Sequence, residues 1–262
     1  MIKRIRLEEI LEDTISGSTE LLLKLNGLIK ENLDNKSELQ RIISKAKKYF
    51  KTFEAIQSYL IRVEGSQDDT SNKALKIFIN EFEQNQSFVH QSIYENALPY
   101  LEGMQSILTI SNSKTISESL NLLGKKNRKL KIIIAESRPM LEGRILAKEL
   151  IKNKIHVELI TDNMLAQYIS KTDGVIIGAD IILANGNIIN KTGSLPAAIL
   201  SRYYNKPFYV LASKDKISKS KKYVQEDSEP DEVWNYKSAY LKVRNFYFEE
   251  VNKELITKII TN

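Results

Sequence analysis

Apolar positions recur every three or four residues through the first part of the chain. This spacing holds over residues 21–29 and again over residues 42–50, and it is the period at which one face of an α-helix is buried. Polar stretches at residues 34–37 and 64–71 interrupt the pattern and mark turns between helices. We therefore predict a helical domain of about four helices over residues 1–100.

The pattern changes near Leu101 to short apolar runs that alternate with amphipathic stretches. Such alternation is typical of strand–helix repeats, which build a parallel sheet covered by helices on both faces. We predict an α/β domain of this kind over residues 101–262, following the helical domain. The predicted strands comprise residues 106–110, 131–135, 156–160, 174–177 and 207–211.

The loop after the first predicted strand has the composition of a phosphate-binding loop. Ligands of parallel sheets bind beyond the carboxyl ends of the strands, where loops turn into helix N-termini. This loop holds Ser111, Asn112, Ser113 and Lys114, so hydroxyl groups, backbone N–H groups and one ammonium group are available to an anion. An ordinary serine N-cap of the following helix is the alternative.

The loop after the second predicted strand contains Glu136 and Arg138, and Gly143 follows at the start of a predicted helix. An arginine at this position can bind a phosphate or carboxylate group through two N–H groups. Gly143 allows the start of the helix to pack closely. An arginine paired with a neighbour in solvent is the alternative.

Asp180 ends the fourth predicted strand in the sequence Gly-Ala-Asp. Asn185-Gly186 predicts a tight hairpin turn, which would return Asn190 and Lys191 to the side of Asp180. A carboxylate, an amide and an ammonium group in one crevice are suited to acid/base chemistry on a phosphorylated ligand. An aspartate that only caps the next turn is the alternative.

Composition narrows the chemistry further. The chain has 262 residues, no cysteine, two histidines and a net charge of +6, so disulfides, zinc–thiolate sites and cysteine nucleophiles are excluded and neither a metal nor a cofactor is expected. The modest basic excess favours a small anionic ligand without requiring nucleic acid, and the basic segment 214–222 is expected to be solvated. No apolar run approaches the ~20 residues that a membrane helix needs, so we expect a cytoplasmic protein without membrane contact.

Several of these motifs occur in the order and spacing of a known family. The segments are residues 107–114, 135–139, 178–180, 183–186, 189–191 and 207–210. The chain resembles the superfamily that contains the alpha, beta and delta regulatory subunits of translation initiation factor 2B and the isomerases of ribose 1,5-bisphosphate and methylthioribose 1-phosphate. The resemblance implies a helical N-terminal domain, a Rossmann-like C-terminal domain, and a homodimer or higher oligomer assembled through the latter.

The resemblance also implies roles for individual residues. In the isomerases a cysteine and an aspartate are catalytic, and their positions here hold Ser111 and Asp180; the substrate-holding asparagine and lysine correspond to Asn190 and Lys191. The aspartate is retained, whereas the thiol is replaced by a hydroxyl group. A serine hydroxyl is far less acidic than a thiol, whose reference pKa is ~8.5, so Ser111 needs a base to act as the cysteine does.

These observations support three functional hypotheses. The first is a non-catalytic protein resembling the regulatory subunits, which binds a ribose phosphate or nucleoside monophosphate and contacts itself or a translation initiation factor. The second is an aldose–ketose isomerase in which Asp180 is the acid/base group and Ser111 is a hydrogen-bond donor. A structural scaffold is a third. The aromatic segment 245–251 is predicted to be a strand at the oligomer interface.

Overall fold

The computed structural model describes residues 6–13, 16–51, 53–66 and 72–262. The chain divides into two compact units between Val89 and His90. This division falls within a long helix that ends at Leu101. The sequence pattern changes near the end of that helix. Each unit has a hydrophobic core of its own.

The first unit is helical, as the apolar spacing predicts. Its core consists mainly of leucine and isoleucine side chains that recur at helical spacing and face one another. The buried Asn26 side chain accepts a hydrogen bond of 2.7 Å from the Tyr59 hydroxyl group. Asn35 accepts a hydrogen bond from the N–H group of Glu38 and so caps the third helix. The described helices are α1 (Leu7–Leu11), α2 (Ser18–Glu31), α3 (Lys36–Tyr49), α4 (Glu54–Gly65) and α5 (Lys73–Leu101), of which α5 continues into the second unit.

The second unit is a Rossmann-like α/β domain with a six-stranded parallel sheet, in which the strands of residues 156–160, 131–135, 106–110, 174–177, 208–211 and 258–260 are neighbours in that order. Its central strands are buried apolar runs because helices cover both faces of the sheet. All five predicted strands are present, and the α/β class is confirmed. The strands are β1 (Ser106–Ile110), β2 (Lys131–Ala135), β3 (His156–Ile160), β4 (Gly174–Ile177), β7 (Phe208–Leu211) and β9 (Lys258–Ile260), and the helices are α6 (Lys114–Lys126), α7 (Glu142–Lys152), α8 (Leu165–Ile169) and α9 (Ser194–Tyr203).

The second unit also contains a three-stranded antiparallel sheet. It consists of β5 (Ile181–Ile182), β6 (Ile188–Lys191) and β8 (Phe248–Val251), in the order β5-β6-β8. The predicted hairpin at Asn185-Gly186 joins β5 and β6, and Gly186 has a φ of 89° that suits glycine. The aromatic segment forms β8, which pairs with β6 of the same chain.

The connections create a switch point in the main sheet. From β1 the chain proceeds through β2 to β3 on one side, and then returns to place β4 on the other side of β1. In open parallel sheets the crevice beyond the carboxyl ends of two such strands is the usual ligand site. The loops after β1 and β4 are therefore the first place to look for function.

Two expectations from the sequence concern contact with water and with a membrane. The basic segment 214–222 is not wholly solvated, because Lys216 and Ser218 are buried within it. Of the helices that the structure describes, none is both long and apolar enough to cross a bilayer. The cytoplasmic location stays a prediction.

Candidate functional site

The loops after β1 and β2 are joined by hydrogen bonds. Ser111 and Ser137 both have a positive φ, of 60° and 63°. The N–H group of Ser111 donates to the Ser137 hydroxyl oxygen at 2.7 Å, and that hydroxyl group donates to the carbonyl oxygen of Ala135 at 3.1 Å. Left-handed backbone is unfavourable for residues other than glycine, and these hydrogen bonds stabilise it at Ser111 and Ser137. Buried Ser111 is thereby fixed at the carboxyl end of β1.

Asp162 orders the loop after β2, and sequence reasoning missed it. Its two carboxylate oxygens accept hydrogen bonds from the backbone N–H groups of Ser137, at 2.9 Å, and Arg138, at 2.8 Å. Each bond is charge-assisted, so the carboxylate holds the backbone that presents Arg138. The available signal was an aspartate two residues past the end of β3, at a position equivalent to the other strand-end loops.

Lys191 is paired with a buried carboxylate. Its ammonium nitrogen lies 2.8 Å from Oε1 of Glu142, and the two side chains are 14% and 5% exposed. The same ammonium group lies 4.9 Å from the ring centre of Tyr247 and 5.0 Å from that of Phe248, distances at which cation–π attraction operates. Lys191 is therefore already compensated before any ligand binds.

Arg138 and Lys191 border the same hollow. Arg138 is exposed, and the backbone of its loop is fixed by Asp162 as described. Glu142 belongs to the same hollow, so its formal charge offsets that of Lys191 and leaves Arg138 as the uncompensated cation among the described lining residues. The hollow is lined by Ser137, Arg138, Pro139, Glu142, Lys191, Thr192, Phe246 and Tyr247.

Gly143 explains how α7 begins so close to β2. A Cβ atom at this position would lie 2.0 Å from the carbonyl oxygen of Ala135, far inside van der Waals contact. Glycine thus allows the close packing that the sequence predicts, and this packing places neighbouring Glu142 in the hollow. Glu136 lies on the same loop and accepts a hydrogen bond of 2.6 Å from Arg144.

The loop after β1 leads into α6 without a serine cap. Asn112 and Ser113 are half-buried, and the Ser113 side chain at the N-cap position makes no capping hydrogen bond within the described structure. The Lys114 ammonium group pairs with Glu118 at 2.7 Å and with Glu149 at 3.7 Å. Its charge is thus engaged by α6 and α7.

Asp180 lies beside β6, as the hairpin predicts. The Asp180 N–H group donates a hydrogen bond of 2.8 Å to the carbonyl oxygen of Ile189. Ile189 directly precedes Asn190, so the backbone of Asp180 lies beside this part of β6. The buried Asn190 amide group donates to the Ser194 hydroxyl oxygen at 2.9 Å and so supports the start of α9. Burial raises the pKa of Tyr223 to about 12, and the charges of Glu226 and Asp180 add to this shift.

The segments after β4 and β1 are in close contact. A Cβ atom at Gly178 would lie 2.8 Å from the Ser113 hydroxyl oxygen, so glycine is required for this approach. The loop carrying Ser111 and the segment carrying Asp180 therefore meet at the switch point. This is the arrangement in which a ligand held by one loop can reach an acid/base group on the other.

A protein carboxylate already occupies the N-terminus of α9. Glu249 accepts hydrogen bonds from the N–H groups of Gly193, at 2.6 Å, and Leu195, at 2.8 Å. Gly193 has a φ of 107°, a conformation that favours glycine. Burial raises the pKa of Glu249, while the backbone N–H groups oppose that shift. An incoming phosphate group would have to displace this carboxylate to use the same helix N-terminus.

The comparisons with known proteins agree with this architecture. The model of the Initiation factor 2 subunit family matches residues 7–262, and the chain belongs to this family. It is 36% identical over 193 residues to the 5-deoxyribose 1-phosphate isomerase of Bacillus cereus, a match that covers 66% of this chain and 56% of that protein. It is 30% identical over 192 residues to translation initiation factor eIF2B subunit beta of Dictyostelium discoideum, covering 70% of this chain and 49% of that protein.

A solved structure shows the same fold along nearly the whole chain. The translation initiation factor eIF-2B of Pyrococcus horikoshii OT3 superposes with a TM-score of 0.83 at 22% identity, covering 97% of this chain and 93% of that one. The chain spans little more than half the length of the Bacillus isomerase, at 56%. The resemblance inferred from the motifs is confirmed at the level of the family, which contains both isomerases and translation factor subunits.

Proposed function

We propose that the chain binds a phosphorylated ribose derivative at the switch point and isomerises it between an aldose and a ketose. The observation that carries the proposal is the hydrogen bond from the Asp180 N–H group to the carbonyl oxygen of Ile189, which joins the segment that carries Asp180 to the strand that carries Asn190 and Lys191. Identity of 36% to a protein named 5-deoxyribose 1-phosphate isomerase supports the same choice over the non-catalytic hypothesis.

The reaction needs one group that can both donate and accept a proton. Protonated Asp180 would donate its proton to the ring oxygen while the bond from that oxygen to C1 breaks. A hydrogen then moves with its electron pair from C2 to C1, and the same carboxylate accepts the proton of the C2 hydroxyl group. The product is a ketose 1-phosphate, and the carboxyl group ends protonated as it began. Ser111 needs only to donate a hydrogen bond, so this route requires no thiol.

Turnover assays test the proposal directly. We expect the protein to convert 5-deoxyribose 1-phosphate, methylthioribose 1-phosphate or ribose 1,5-bisphosphate, and Asp180→Asn to lower kcat by roughly 10²–10⁴-fold while the variant still binds ligand. Asp173→Asn is the matched control, because Asp173 lies at the other end of β4 and accepts hydrogen bonds from the N–H groups of Gln105 and Ser106. Equal activity of Asp180→Asn and wild type would exclude this mechanism.

A second candidate function is supported by a different observation. Ser111 lacks the thiol that the resemblance implies for catalysis, and Lys191 is engaged by Glu142. A non-catalytic ligand sensor, with a translation initiation factor as its protein partner, needs neither group to be free. Calorimetric titration with AMP, GMP and ribose 5-phosphate would then show binding without turnover. An absence of both binding and turnover would leave the scaffold hypothesis.

We also propose that the second unit forms a homodimer or a higher oligomer. The support is a group of exposed aromatic side chains between β7 and β8: Trp234 and Tyr236 are stacked at a ring-centre distance of 5.0 Å, and Tyr240 is fully exposed. Exposed apolar groups of this size commonly mark protein interfaces. Light scattering at micromolar concentration should show more than one chain, and Trp234→Ser should shift the protein towards the monomer.

A further inference from the structure

Lys216 is a buried lysine whose partner is a backbone carbonyl group at the candidate site. It ends the 3₁₀ turn Lys214–Lys216 after β7 and is 4% exposed. Its ammonium group donates a hydrogen bond to the carbonyl oxygen of Ala179 at 2.7 Å. Lys214, at the other end of the same turn, is exposed. Two lysines of one short turn therefore have opposite environments.

The burial of this ammonium group calls for an explanation. Removing a charged group from water is unfavourable unless hydrogen bonds or opposite charges compensate it. An ammonium group has three N–H donors, and in the described part of the chain one hydrogen bond, to Ala179, is present. Burying the ammonium group therefore places a strong, charge-assisted bond on one particular carbonyl oxygen.

That carbonyl oxygen belongs to the segment that carries the acid/base group. Ala179 lies between Gly178, which touches Ser113, and Asp180, which bonds to β6. The Lys216 ammonium group thus holds the peptide unit whose nitrogen belongs to Asp180. Without it, the segment between β4 and β5 would keep its contacts at either end and lose the one between them.

The charge of Lys216 also acts on a histidine of the second unit. Burial lowers the pKa of His90 on α5, and the charges of Glu118, Lys114, Lys216 and Asp215 also act on this histidine. The Lys216 ammonium group is therefore near enough to His90 for its charge to act on that histidine. Lys114, the cation that the sequence favours for this loop, has its own carboxylate partners.

We propose that Lys216 is a positioning residue, which directs the Asp180 carboxylate into the crevice through its hydrogen bond to the Ala179 carbonyl oxygen. The proposal deepens the proposed function and rests on it for its effect on turnover. Lys216 does not touch the substrate in this scheme. Its loss should lower kcat while leaving the affinity for the phosphorylated ligand nearly unchanged.

Two substitutions separate this role from general stability. Lys216→Met keeps the length of the side chain and removes the donor, whereas Lys216→Gln keeps an N–H donor without the charge. We expect kcat to fall about ten- to a hundredfold in Lys216→Met, with KM and the Kd for ribose 5-phosphate changed less than about threefold, and to recover partly in Lys216→Gln. Lys214→Met is the matched control and should equal the wild type.

The amide nitrogen resonance of Asp180 provides a readout that does not depend on turnover. It should shift in Lys216→Met and not in Lys214→Met, because the hydrogen bond ends on the carbonyl group bonded to that nitrogen. If the wild type turns over no sugar phosphate, the proposed function fails and this resonance still decides the role of Lys216. If Lys216→Met does not fold, Lys216→Ala, which also lacks the donor, takes its place, and an unshifted resonance with unchanged kcat in that variant overturns the proposal. A folded Lys216→Met that matches Lys214→Met in both measurements overturns it as well.

Discussion

Glu142 competes with any anionic ligand for Lys191, and removing its charge should strengthen ligand binding. In the wild type the Lys191 ammonium group already donates to the Glu142 carboxylate at 2.8 Å. A phosphate group that binds to Lys191 must share or replace that partner. In Glu142→Gln the side chain keeps its shape and its oxygen acceptor, while the competing negative charge is gone.

The magnitude follows from the burial of the pair. A charge-assisted hydrogen bond contributes about 1.5–3 kcal/mol, which corresponds to a ten- to roughly 150-fold change in Kd. Breaking an ion pair as buried as this one by deleting a partner destabilises a protein by about 3–5 kcal/mol. Because glutamine preserves a hydrogen bond to Lys191, we expect a smaller loss, of about 1–3 kcal/mol, in the free energy of unfolding.

Calorimetric titration with ribose 5-phosphate measures the affinity, and urea unfolding measures the stability. Glu142→Gln should bind about tenfold more tightly or better than the wild type, and the double variant with Lys191→Met should lose this gain. Glu136→Gln is the matched control, because Glu136 pairs with Arg144 at 2.6 Å. An unchanged or weaker affinity in a folded Glu142→Gln would refute the reasoning.

Three further predictions concern neighbouring groups. Arg138→Ala should raise the Kd for ribose 5-phosphate by about ten- to a hundredfold, more than Lys191→Ala does, because Lys191 has a partner; equal effects in titration would contradict this ranking. Ser111→Cys should increase isomerase activity because a thiol gives up its proton far more readily than a hydroxyl group, and adding Asp180→Asn should remove the increase in the same turnover assay. Burial raises the pKa of Glu249 above its ordinary 4.5, so its contribution to stability is present at low pH and is lost as the pH rises through the raised value. The free energy of unfolding of Glu249→Gln, measured in urea between about pH 4 and 7, should lack this pH-dependent contribution. Identical pH slopes for the variant and the wild type would argue against it.

The chain's local pattern was enough to predict both parts of the fold. Helical spacing in the first unit and short apolar runs in the second each reflect burial of one face or of both faces of an element, and burial leaves its period in neighbouring residues. The same locality predicted the hairpin that pairs β5 with β6, because a short turn at Asn185-Gly186 determines which positions of its hairpin lie opposite one another.

The charges of the site were decided by the tertiary structure. Lys114 and Lys216 are both lysines in polar stretches beside strands, yet one is paired with Glu118 on a helix surface and the other is buried against Ala179. The pairing of Glu142 with Lys191 joins residues far apart in the chain. A local pattern records whether a position faces the core, whereas the partner of a charged side chain depends on which distant segments the fold brings within hydrogen-bond distance. For this reason the sequence predicted the strand-end loops and their lysines, and only the folded chain showed that Lys114 and Lys191 are paired with carboxylates.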